Sequence, residues 1–94
     1  MHPFAAGTRF RAELRRSGDS SGFDVPDDVV TQLGGGHPRV VATVNGHRFR
    51  TVISSSPRGY WLGVSPWRRA AARVTARRPH DIDLELDLGT AARR

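Results

Sequence analysis

Ninety-four residues at 37% hydrophobic and 26% charged describe one small globular domain with a modest core, not a disordered chain. All fifteen basic residues are arginine and nine acids oppose them, so the formal charge is +6, an excess that attracts polyanions such as nucleic acid, acidic proteins or membrane surfaces without selecting among them. With no cysteine, disulfide and thiolate chemistry are excluded.

The start, Met1 to Gly7, lacks the apolar run of a secretory signal, and no segment is long and apolar enough to span a membrane. The expectation is a cytoplasmic protein without a membrane partner. Residues 1–7 and 89–94 read as flexible ends of one domain covering 1–94.

Thr8 to Arg15 alternates, with Phe10, Ala12 and Leu14 on one face and Arg9, Arg11, Glu13 and Arg15 on the other. That is a half-buried strand. Ser17 to Gly22 has the composition of a loop. Phe23-Asp24-Val25 returns to an extended path, because the residue before a proline is biased that way. Pro26 suits the first position of a short helix, Asp27 and Asp28 complement its positive end, and Val29 and Leu33 point inward. Gly34 ends the helix.

Arg39 to Asn45 and His47 to Ser54 form the clearest hairpin, turning on Asn45-Gly46, since both residues tolerate positive φ. That turn sets the register. Val40, Ala42 and Val44 share the inner face with His47, Phe49, Thr51 and Ile53, and Arg39, Arg48 and Arg50 share the outer one. Ser54 to Gly59 reads as a loop and Tyr60 to Val64 as a short strand. Tyr60, Leu62 and Val64 point inward and Trp61 outward. Ser65 and Pro66 open a second helix running to about Arg73. His80 to Leu88 is the last strand, with Ile82, Leu84, Leu86 and Leu88 inside and Asp81, Asp83, Glu85 and Asp87 outside.

The same order of strand end, proline-started helix, loop and alternating strand therefore occurs twice. The expected fold is mainly β: a small barrel of about six strands with two short helices and a pseudo-twofold internal repeat. If the first and last strands are neighbours, Arg9, Arg11 and Arg15 lie beside the acidic stripe of the last strand.

With these elements placed, the chain resembles the bacterial family called domain of unknown function 1905. The resemblance covers residues 8–88. It is carried by Phe10-Arg11-Ala12-Glu13-Leu14, by Val25-Pro26 with Val29-Val30 and Leu33-Gly34, and by Val44-Asn45-Gly46 with Phe49-Arg50. Tyr60 to Val64, Ala71-Ala72 and Asp83-Leu84-Glu85-Leu86-Asp87 complete it. What it implies is a double-split β-barrel, distantly similar in shape to the AbrB- and MazE-like DNA-binding domains, with one chain supplying both halves. It implies no catalytic residues. The chain departs from the family pattern at Arg68, where an apolar residue is usual. It departs again at Arg73-Val74 and Arg77-Arg78, where the family carries Gly-Val and then Gly-Asp.

Two arginine sets are candidate phosphate contacts, because several cations must reach one backbone and the guanidinium fork fits phosphate oxygens. One is Arg68, Arg69, Arg73, Arg77 and Arg78, with Arg69 and Arg73 on one helical face. The other is Arg39, Arg48 and Arg50. The bland alternatives are a helix end whose cations complement the macrodipole and a solubilising sheet face. Trp61 and Trp67 are candidate stacking contacts, or else rings that cover the barrel and seat the second helix.

Gly34-Gly35-Gly36 follows a helix and precedes a strand, the reverse of a phosphate-binding loop. His2, His37, His47 and His80 show no ligand spacing, and Ser54-Ser55-Ser56 has no nucleophile-elbow setting. Neither a metal nor a cofactor is expected. The sequence thus points to a non-enzymatic binding module, monomeric or weakly dimeric, contacting nucleic acid through Arg48, Arg50, Arg69, Arg73, Arg77 and Arg78. The rival expectation is a protein-interaction domain anchored by Trp61 or Trp67 in the groove between barrel and second helix, and the third is a small-molecule pocket or weak enzyme.

Overall fold

A computed structural model describes residues 7–88. The expectation of flexible ends falls outside those residues, except that Gly7 already opens the first strand. In chain order the elements are β1 (Gly7–Glu13), β2 (Arg15–Ser17), β3 (Ser20–Val25), α1 (Asp27–Gln32) and β4 (Arg39–Val44). They continue with β5 (His47–Val52), β6 (Ser54–Ser56), β7 (Gly59–Gly63), α2 (Pro66–Ala71) and β8 (Pro79–Leu86). No helix among the described residues is long and apolar enough to cross a membrane.

The strands form two antiparallel four-stranded sheets, ordered β1-β8-β4-β5 and β2-β3-β7-β6. The fold is mainly β with two short helices, as expected. The strand count differs, and the described residues form two sheets without a closed barrel. Eight strands stand where about six were expected, because both serine- and glycine-rich loops fold as hairpins. Gly18 (φ 62°) turns β2 into β3, and Pro57-Arg58 turn β6 into β7, with Gly59 at φ 128°. These arms escape a period-two reading because Arg15 to Ser17, Ser20 to Gly22 and Ser54 to Ser56 carry no apolar side chain on either face. Backbone pairing, not apolar alternation, makes them strands.

Where alternation is strong the expected register holds. Val44 pairs with His47, Ala42 with Phe49 and Val40 with Thr51 around Asn45 (φ 52°) and Gly46 (φ 81°). β1 lies beside β8, with Arg9 opposite Asp83 and Arg11 opposite Asp81. Phe23, Val40, Val44, Ile53, Leu62, Ile82 and Leu84 are almost completely buried where the inner faces of the sheets meet the helices. Leu88 lies past the end of β8 and is exposed, contrary to the inward placement expected for it.

The repeat is visible in the connectivity. Exchanging β1-β2-β3-α1-β4 with β5-β6-β7-α2-β8 leaves the strand order of both sheets unchanged. It is also visible bond by bond at the helix ends. Leu33 N–H donates to the Val29 carbonyl, Gly34 to Thr31 and Gly35 to Val30. Thirty-nine residues later Ala72 donates to Arg68, Arg73 to Ala70 and Val74 to Arg69. Both helices close with the same left-handed cap. The first uses Gly34 at φ 101°, and the second forces Arg73 into φ 56°. α2 therefore stops at Ala71, and Arg73 does not share a helical face with Arg69 as expected.

Candidate nucleic-acid interface

Most outward arginines of the first half are neutralised by acids placed opposite them. Arg9 grips Asp83 through two hydrogen bonds of 2.6 and 3.1 Å, and Arg11 reaches Asp81 at 2.9 Å. Arg15 turns away from the acidic stripe to Asp24, at 2.7 and 3.0 Å, and Arg58 approaches the same carboxylate at 3.5 Å. The Arg15 hydrogen bonds hold the Asp24 carboxyl below its ordinary range against the opposing effect of burial, with the charges of Arg15 and Arg58 adding to them.

The second half is less completely neutralised, its two ion pairs among the described residues being longer, 3.4 and 3.5 Å. Arg48 and Arg50 occupy the places that Arg9 and Arg11 hold in the first half, but they face Thr43 and Val41 of β4, whereas Arg9 and Arg11 face Asp83 and Asp81 of β8. Arg50 finds Asp87 at 3.4 Å. Among the described residues Arg48, Arg73, Arg77 and Arg78 make no ion pair. Arg73, Arg77 and Arg78 are exposed around the turn between α2 and β8, where Leu14 bridges to Ala76, and Arg77 also has positive φ, 67°.

The start of α2 lies over the β5 edge. Arg68 stands where α1 has the buried Val29. Its guanidinium stacks 4.6 Å above Phe49 and 5.0 Å above Trp67, and it donates to the Arg50 carbonyl at 3.2 Å, occupying an acceptor of the edge strand. Trp67 is 62% exposed and meets His47 edge-on at 6.5 Å. Val41, His47, Arg48, Phe49, Arg50, Trp67 and Arg68 enclose an open cavity of about 440 Å³. His47 Nε2 is buried there without a hydrogen-bond partner, a state costing about 1–3 kcal/mol for a polar group. At the other end of α2, Asn45 Nδ2 donates to the carbonyls of Ala72 (2.8 Å) and Arg73 (3.3 Å). The hairpin tip is thus clipped to the helix end, next to Arg73, whereas Arg39 lies at the opposite end of the hairpin.

Two expected contacts are placed elsewhere. Trp61 points outward from its sheet as expected, yet only 7% of it is exposed. Its indole lies over Gly22 and Gly63, with the Arg15 guanidinium 5.3 Å above it. Arg69 turns inward and donates to Ser21 Oγ at 3.3 Å. Beneath it a second cavity, about 370 Å³, is lined by Arg16, Asp19, Ser20, Ser21, Gly63, Val64, Ser65, Pro66 and Arg69. Ser65 is the N-cap of α2, but its side chain makes no cap bond. No group of three or more metal-ligating side chains occurs among the described residues.

A family model described as domain of unknown function (DUF1905) matches residues 10–84, from β1 into β8. The chain belongs to that family. No curated protein matches it. Membership in DUF1905 agrees with the resemblance drawn from the sequence and assigns no ligand.

Sequence reasoning missed Asn45 as the clip for α2, because Asn45-Gly46 is already explained by its turn. It also missed Ser21 and Ser65 as cavity walls. The available signal was the repeat itself. Aligning the halves at their common offset sets Ser21 against Tyr60 and Arg69 against Val30, so one helix rests on a filled surface and the other on an open one.

Proposed function

We propose that the protein is a non-enzymatic binding domain that holds nucleic acid on the α2 side of its second half. The observation carrying this reading is the unequal neutralisation of one equivalent pair, Arg9 matched by Asp83 and Arg48 facing Thr43, together with Arg73, Arg77 and Arg78, which also make no ion pair among the described residues. Free guanidinium groups around a hairpin tip and a helix end suit a phosphate backbone. Trp67, the one large exposed ring among them, offers a face on which a base can stack. Arg50, with its longer ion pair to Asp87, contributes less, and Arg69 and Trp61 lie off this surface.

We also read the two sheets as the halves of a double-split barrel. Its support is the exchange symmetry of the strand order and the continuity of β1 with β2 and β5 with β6, each pair separated by one buried or half-buried residue, Leu14 or Ile53.

The test is fluorescence anisotropy with random duplex and single-stranded DNA at several salt concentrations. Binding is expected at low salt and falls steeply as salt rises. Arg77→Ala/Arg78→Ala weakens it and lowers the salt slope by about 0.7–0.9 for each phosphate no longer neutralised. No binding at low salt contradicts the reading. In that event an acidic protein docking in the cavity beside Trp67 becomes the better account, since that cavity joins an exposed indole to unpaired arginine.

A further inference from the structure

α1 and α2 occupy equivalent positions, and their undersides differ at two places. Beneath α1, the buried Val30 and the half-buried Tyr60 fill the space. Beneath α2, the equivalent positions are Arg69 and Ser21. A serine leaves unfilled most of the volume that a tyrosine ring occupies, and the cavity of about 370 Å³ results. Its size lies in the range of small-molecule sites, roughly 300–1,000 Å³.

The wall of this cavity is divided. Gly63, Val64 and Pro66 form an apolar side, and Arg16, Arg69, Ser21 and Ser65 a polar one. Arg69 is half-buried and donates to the Ser21 hydroxyl without any carboxylate partner. Ser65 Oγ is buried with no hydrogen-bond partner. A partly desolvated guanidinium without a counter-ion, beside a hydroxyl with unused capacity, is the donor set an oxyanion needs. Asp19 in the same wall offsets one of the two arginines. The remaining single positive charge favours a singly charged group over a dianion.

We infer that this cavity binds a small molecule through a singly charged oxyanion, a carboxylate or a phosphate diester, with Arg69 as its charge partner and Ser65 as its hydroxyl donor. Ser21, whose hydroxyl donates to the Val64 carbonyl at 3.0 Å and accepts from Arg69, positions the guanidinium. The site is separate from the nucleic-acid surface, because Arg69 faces the cavity and not the arginines of the α2–β8 turn.

The test is a titration of the full chain with acetate in one arm and dimethyl phosphate in the other, followed by amide NMR shifts at ionic strength held constant with sodium chloride. Saturable shifts centred on Ser21, Val64 and Arg69 are expected in at least one arm, and the arm that saturates identifies the anion. Arg69→Val, which installs the residue of the other half, weakens that binding by about tenfold or more. Ser21→Tyr removes it by filling the cavity. If the Ser21→Tyr spectrum is not that of a folded protein, Arg69→Gln supplies the same readout as Arg69→Val. Shifts that fail to saturate in both arms, or that Arg69→Val leaves unchanged, overturn the inference. DNA titrations of Arg69→Val stay within about twofold of the parent, so a failure here and a failure of the nucleic-acid reading are distinguishable.

Discussion

The two halves share one backbone plan and use it for different ends. α1 buries Val29, Val30 and Leu33 and closes on Gly34, while the outward arginines on its side are matched by Asp81 and Asp83. α2 puts Arg68, Arg69 and Ala72 at the same three places, closes on a strained Arg73, and buries no residue within its helical span. The first half is a scaffold in which Arg9, Arg11 and Arg15 are paired with carboxylates. In the second, apolar burial has been exchanged for open volume and unpaired cations. A fold built twice can give up apolar packing in one copy as long as the other retains it.

This contrast is open to direct attack. The largest effect is expected at Leu33, almost fully buried at the α1 end. Leu33→Ala, which installs the residue that α2 carries there, costs about 2–5 kcal/mol in urea denaturation. A loss under about 1 kcal/mol would show that α1 is no more a scaffold than α2.

The outer face of the second sheet comes next. Gly22 and Trp61 are equivalent positions, and the indole of one spreads over the other. A Cβ on Gly22 would collide with the Leu62 carbonyl oxygen and come within 2.9 Å of the ring. Gly22→Ala is expected to destabilise by about 1–3 kcal/mol, with a change in tryptophan fluorescence as the ring shifts.

At the helix caps the expected sign reverses. Arg73→Gly relieves a non-glycine residue in the left-handed region and raises stability by roughly 0.5–1 kcal/mol, despite removing a charge. The matched change Gly34→Arg lowers it. Equal signs at the two caps would show that they are not equivalent.

The smallest effect is electrostatic. The Asp24 carboxyl is lowered in the folded state, chiefly by Arg15. Its stabilisation is therefore present above the ordinary carboxylate value, about 4, and is lost as pH falls through the lower folded value. Asp24→Asn should flatten that acid limb of the stability–pH curve, and an unchanged limb would remove Asp24 from the account.

Legibility in the sequence followed physical cause. The Asn45-Gly46 hairpin and the β1 and β8 alternations were readable, because apolar periodicity and a turn requiring positive φ both point to a single register. The two small hairpins were not, since Ser20, Ser21 and Ser54 to Ser56 enter strands through backbone pairing that leaves no hydrophobic trace. Periodicity gives Trp61 its outward direction, but the sequence does not show that Gly22 and Gly63 lie beneath its ring. Charge alone implies a solvent-facing Arg69, and only comparison with Val30 reveals its inward position.

Arg9 and Arg48, equivalent in the two halves, differ in availability because only Arg9 meets a carboxylate across its strand pair. Salt-dependent DNA titration of the matched variants Arg9→Ala and Arg48→Ala tests this difference most directly, with Thr43→Asp as a third variant that gives Arg48 the acid Arg9 already has. Arg48→Ala and Thr43→Asp are expected to weaken binding and flatten its salt dependence, while Arg9→Ala changes neither. Equal losses for Arg9→Ala and Arg48→Ala, or undiminished binding by Thr43→Asp, would contradict the account.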